Sequence, residues 1–145
     1  MAVTEVQVAS LRSFLAGDPG EGVQLTRRLV ESGHTEGYGE LVYAAFVTAV
    51  RRRFSPTWTI PKIVRFVATA RANLLGNDVE VDPQAAEAVI RRALGDSVAT
   101  VSEDKATARA QIFLLFELID DEELDSAGLD TFLAEARSLA NRLMS

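Results

Sequence analysis

A chain of 145 residues with 48% apolar and 25% charged side chains has the size of one ordinary domain and lies outside the composition of disordered chains. Cysteine is absent, which excludes disulfides, thiolate metal sites and cysteine nucleophiles and is compatible with a reducing compartment. A formal net charge of -6 opposes generic attraction to nucleic acid or anionic lipid.

From the N-terminus, Thr4 caps a short helix in which Val8, Leu11, Phe14 and Leu15 recur at helical spacing, and Gly17-Asp18-Pro19-Gly20 ends it. A second helix is expected from about Glu21 to Ser32, with Leu25 and Leu29 on one side. The run from Gly33 to Gly39 holds three glycines and reads as a mobile connection. From about Glu40 to Phe54, Tyr43, Phe46, Val47, Val50 and Phe54 share one side of a helical wheel. Arg52 points away from that stripe, with Arg51 and Arg53 on its shoulders. Pro56 stops the helix, and Trp58 lies in the turn.

Pro61 then sits in the first turn of a helix whose buried stripe is expected to be Ile63, Val64, Val67 and Leu74. Lys62, Arg65, Thr69 and Asn73 occupy its opposite face. Arg71 falls within the apolar stripe, where its stem packs and its guanidinium is a candidate for a structural ion pair. Asp82 and Pro83 start a further helix with Ala86, Val89, Ile90 and Ala93 inward, closed by Gly95. Two alternating stretches, near 79–81 and 98–101, are each long enough for a very short strand stub.

Ser102 is the candidate cap of the next helix. Its stretch Ile112 to Ile119 is apolar nearly all round, a pattern that fits either a central helix or one half covered by a second copy of the chain. In the second case Phe113, Leu114 and Leu118 are the candidate homodimer seam. Asp120, Asp121, Glu122, Glu123 and Asp125 form an acidic exit. The last helix starts near Ser126 and carries Leu129, Phe132, Leu133, Ala136, Ala140 and Leu143 inward. A weak internal echo links Phe66 to Arg71 with Phe132 to Arg137, which convergent amphipathic packing explains as well as duplication does.

The expected architecture is therefore all-α, an irregular antiparallel bundle of six or seven helices, with Ile112 to Ile119 at its centre and 1–145 forming a single helical domain. The longest apolar run, Leu41 to Val47, is far below the roughly 20 residues of a membrane span, so no membrane partner is expected. No basic region followed by an apolar core marks a secretory signal at the N-terminus, and cytoplasmic placement is the simplest expectation.

The catalytic inventory is thin. His34 is the lone histidine, in a glycine-rich loop, with no companion for a zinc, haem or iron site. That loop also lacks the lysine and serine of a phosphate cradle. The acids from Asp120 to Asp125 lack the alternating spacing and central glycine of a calcium loop, and a solvated acidic turn accounts for them. No catalytic residue, metal site or cofactor is assigned.

Charge distribution gives the better lead. Residues 41–75 hold six cations (Arg51, Arg52, Arg53, Lys62, Arg65, Arg71) and no acid, whereas 76–145 hold six cations against fifteen acids. Such a split arises either from a site for an anionic partner or from internal docking of basic against acidic segments. Helical geometry selects Arg52, Lys62 and Arg65 as the outward cations. They define the candidate site of a non-catalytic protein-interaction, adaptor or regulatory domain that meets an acidic protein surface. The alternative is a nucleic-acid-binding regulator that presents Lys62, Arg65, Thr69 and Asn73 to a major groove, a reading opposed by the acidic remainder. A further alternative is an enzyme whose site the sequence does not reveal.

Overall fold

A computed structural model describes residues 2–73, 80–96 and 104–145. Within them the chain is all-α, as expected, with seven helices and no strand: α1 (Glu5–Leu15), α2 (Pro19–Ser32), α3 (Tyr38–Phe54), α4 (Ile60–Ala72), α5 (Pro83–Ala93), α6 (Lys105–Glu122) and α7 (Ser126–Met144). The expected stub at 98–101, the candidate cap Ser102 and the stripe residue Leu74 lie outside the described residues. Of the other stub only Glu80 and Val81 are described, and they lead into α5 without strand pairing.

The starts of these helices are written in side-chain chemistry. Thr4 and Gln7 form a reciprocal capping box on α1, and the carboxylate or hydroxyl of Asp18, Thr59, Asp82 and Asp125 accepts an amide hydrogen in the first turn of α2, α4, α5 and α7. Proline stands at the first or second position of α2, α4 and α5, where an amide hydrogen has no intrahelical partner to lose. At α6 the cap is Asp104, which accepts from the Thr107 amide at 2.9 Å. Hydrogen bonds from the Thr107 backbone and side chain hold the Asp104 carboxyl below the ordinary aspartate range.

The chain divides into two compact units, Met1–Thr48 with Glu122–Ser145, and Ala49–Asp121, and α3 and α6 run through the division. In the first unit α1 packs on α2 and α7. Contact between α1 and α2 depends on Gly22, where an added Cβ would meet the Phe14 ring at 2.8 Å. Gln7, fully buried, donates through Nε2 to the carbonyls of His34 (2.9 Å) and Glu36 (2.8 Å). The glycine-rich run is therefore a pinned connection, and α3 already begins at Tyr38 inside it. Ser10 is buried as well and joins the hydroxyls of Thr26 (2.8 Å) and Tyr38 (3.0 Å). On α7, Asn141 accepts from the Val3 amide and Arg137 donates to the Val3 carbonyl, so that helix holds the N-terminal segment by its backbone.

In the second unit α4 packs on α5. The end of α3 meets α4 through Phe54 and Phe66, whose rings stand edge to face with centroids 5.5 Å apart. This contact sets the roll of α4. Ile63, Phe66, Val67 and Ala70 are buried, while Val64, expected inside, is 43% exposed. Phe66 takes the place expected of Val64 because its ring finds an aromatic partner, Phe54, at the end of α3.

A second correction concerns α6. Ile112 is 48% exposed, Phe113 and Phe116 are half-buried, and the buried residues are Ala110, Leu114, Leu115, Leu118 and Ile119. The helix is one-sided: Ala110, Leu114 and Leu118 recur at i, i+4 as a single ridge. The most continuously buried stretch is instead Leu41 to Val50 of α3, where Leu41, Ala44, Ala45, Phe46, Val47, Ala49 and Val50 are all inaccessible. Tyr43, expected on the buried face of α3, and Leu143, expected inward on α7, are exposed.

Candidate functional site

The six cations of 41–75 divide by what their side chains touch. Arg51 donates through Nε to the Ala93 carbonyl at 3.2 Å, at the negative end of α5. Arg71 donates through Nε to the Val81 carbonyl at 3.0 Å, just ahead of α5. One arginine from α3 and one from α4 thus bracket the two ends of α5. For Arg71 the bond formed by Nε goes to a backbone carbonyl, where an ion pair had been the expectation. The guanidinium of Arg53 lies 5.5 Å from the Phe54 centroid and 5.7 Å from that of Phe66, covering the aromatic seam between α3 and α4. Sequence reasoning left Arg53 on a shoulder of its helix. The signal that marks it is its position beside Phe54, one residue before an aromatic at a helix end.

Arg52, Lys62 and Arg65 are all exposed. Lys62 and Arg65 stand three residues apart on α4 and so share one side of it. The Lys62 ammonium reaches back to the Thr57 carbonyl at 3.5 Å, and Arg65 makes no side-chain bond among the described residues. Arg52 holds an interaction of its own within the chain and lies in the last turn of α3, where positive charge meets the helix dipole favourably. The exposed surface of α4 is therefore the part of the basic segment whose charge has least internal use.

Of the residues considered for a nucleic-acid face, Thr69 is exposed and bonds back to the Arg65 carbonyl at 3.0 Å. Asn73 donates to the Glu117 carboxylate at 3.1 Å. A carboxylate beside Asn73 places negative charge where phosphate would have to approach.

The proposed dimer seam also changes. Leu114 and Leu118 are each 1% exposed, buried inside the chain, and so are not presented to a second copy, while Phe113 is half-buried. His34 is exposed and contributes its backbone carbonyl to Gln7. Asp120 to Glu122 belong to α6, and Asp125 caps α7 by accepting from Gly128 at 2.7 Å. Among the described residues no three His, Asp or Glu side chains gather as metal ligands. None of the helices there is long and apolar enough to cross a membrane.

An open groove of about 370 Å³ lies in the first unit, lined by Val8 of α1 and by Asp130, Leu133, Arg137 and Asn141 of α7. Three of its polar groups are already engaged: Asp130 pairs with Arg12 at 2.7 Å, and Arg137 and Asn141 hold Val3. Comparison with protein-family models, with curated proteins and with solved structures finds no match.

Proposed function

We propose that the chain is a non-catalytic interaction, adaptor or regulatory module, whose outward basic side, Arg52, Lys62 and Arg65, docks an acidic protein surface. The observation that carries this reading is the exposure of Lys62 and Arg65 on one side of α4, within a segment that contains no acid. Arg51, Arg53 and Arg71 have structural contacts that account for them without a partner. Exposed cations of this kind raise encounter rates and select partners by charge, and add little to the stability of their own chain. Pairing of Asn73 with Glu117 takes up an amide that the nucleic-acid alternative would need for a base edge. No residue is given a catalytic role.

The test is titration of a labelled oligoglutamate peptide and, separately, of a random DNA duplex into the wild type and the K62E/R65E variant. The reading expects salt-sensitive capture of the peptide by the wild type alone, with the two melting temperatures within about 2 °C of each other. Equal binding by the variant would overturn it. Tight duplex binding that falls steeply with salt would replace it by the nucleic-acid alternative.

A further inference from the structure

The charges of α6 run against its own dipole. No acid stands in its first turn and no base in its last; Lys105 is its first residue, and Asp120, Asp121 and Glu122 lie in its last turn. A helix is stabilised by the reverse order, so α6 by itself gains nothing from this one. The outward side of the helix repeats it. Counting about 100° per residue from Ile112, Lys105, Phe116, Arg109, Asp120 and Phe113 fall at about 20°, 40°, 60°, 80° and 100°, whereas the buried residues run from Ala110 at about 160° to Ile119 at about 340°. Lys105, Arg109, Ile112 and Asp120 are exposed, and Phe113 and Phe116 are half-buried. One outward arc therefore carries two cations toward its N-terminal end, three large apolar side chains in its middle and a carboxylate toward its C-terminal end. None of the three charged side chains has a hydrogen bond or ion pair among the described residues. Of the seam expected from the sequence, only Phe113 belongs to this arc.

We infer that this arc binds the same arc of a second copy of the chain, the two helices running antiparallel. Charge decides both the occupant and the direction. A two-fold axis level with residues 112 and 113 sets Asp120 of the second copy level with Lys105 and, at about 1.5 Å per residue, about 6 Å along the helix from Arg109. Ile112 then lies level with Phe113, and Phe116 level with Arg109, whose guanidinium can cover its ring as Arg53 covers Phe54. Parallel pairing would instead set Lys105 against Lys105 and Asp120 against Asp120. The two-fold operation makes each charge contact twice, and it brings cations to the C-terminal end of each α6, where the dipole favours them. From Lys105 to Asp120 the arc is about 22 Å long, which is small for a specific interface, so a dissociation constant on the order of 10–100 μM is expected. The contact uses no residue of α4 and does not depend on the function proposed for that helix.

Sedimentation equilibrium from about 1 to about 500 μM tests this. The wild type is expected to pass from the monomer mass toward twice that mass over this range. K105E/R109E and D120K should each stay monomeric, and neither should melt below the wild type, since each new charge stands toward the end of α6 that the dipole favours. An equimolar mixture of the two variants should regain the dimer, because each supplies the charge that the other lacks. I112S should weaken the wild-type dimer by about tenfold without a change in melting temperature. A wild type that stays monomeric throughout overturns the inference and leaves the arc to a different protein. Dimers of undiminished strength in both charge variants overturn it by placing the contact elsewhere, and a mixture of monomeric variants that stays monomeric overturns the antiparallel pairing.

Discussion

The unit formed by Met1–Thr48 and Glu122–Ser145 carries polar side chains in its interior, whereas Ala49–Asp121 keeps its described core apolar and uses polar side chains at its edges. In the first, Gln7 and Ser10 are buried and bonded to loop carbonyls and hydroxyls, so the position of the chain between α2 and α3 is fixed by hydrogen bonds. In the second, Phe54 and Phe66 fix α4 against the end of α3, and Arg51 and Arg71 tie down the ends of α5 from outside. A buried hydrogen-bond network is costly to break, because removal of one member leaves others dry and unpaired. An edge arginine costs less to lose, about 1 kcal/mol, since water takes part of its place. The second arrangement leaves a charged surface free for other use.

The largest effect is expected of Phe66→Ala, which removes the ring at the seam and exposes the Phe54 edge. It is expected to cost about 3–5 kcal/mol in urea denaturation, and a loss under about 1 kcal/mol would show that the seam is not what holds α4. Next is Gln7→Leu, which keeps volume but strands the His34 and Glu36 carbonyls. A loss of about 2–4 kcal/mol is expected, and Gln7→Ala should do no better. If Leu at position 7 were neutral, the contrast between a polar and an apolar interior would fail.

Arg51→Ala is expected to cost only about 1 kcal/mol, read in the same denaturation series, because its single bond to Ala93 is at the edge. A smaller effect of opposite sign is expected at Glu123, directly after α6, whose φ of 50° lies in the left-handed region. Glu123→Gly should stabilise the first unit by up to about 1 kcal/mol. The smallest effect is on pH dependence. Asp104 has its carboxyl depressed by Thr107, so its cap is fully present above the ordinary aspartate range and is lost as pH falls through the depressed value. Acid titration followed by circular dichroism should show a slight loss of helix on the acid side that Asp104→Asn lacks.

Helix existence was legible because local signals agree: Thr4, Asp18, Thr59, Asp82 and Asp125 each start a helix that the apolar period then continues. What the wheel could not supply was the partner of each face. Val64 and Phe66 lie on opposite shoulders of the α4 stripe, and only the edge-to-face contact with Phe54 decides between them. Leu114 and Leu118 looked like surplus apolar residues on a helix greasy all round, yet they are its buried ridge and Ile112 is the exposed member. Gln7 was invisible as a core residue, since polar type argues for the surface and its two acceptor carbonyls lie 27 and 29 residues away. Outward placement of Lys62 and Arg65 was readable because both point away from Ile63 and Val67, which stay buried whichever of Val64 and Phe66 joins them. The division of the arginines was not, because it depends on where α5 ends.

The basic segment separates into arginines that hold the ends of α5 in the second unit and cations that face outward. Titration of the labelled oligoglutamate peptide into K62E/R65E and into R51M/R71M, each with its thermal melt, tests this most directly. K62E/R65E should lose capture and melt as the wild type does, while R51M/R71M should melt several degrees lower and retain capture; the reverse assignment, or loss of capture only in step with loss of stability, would contradict the claim.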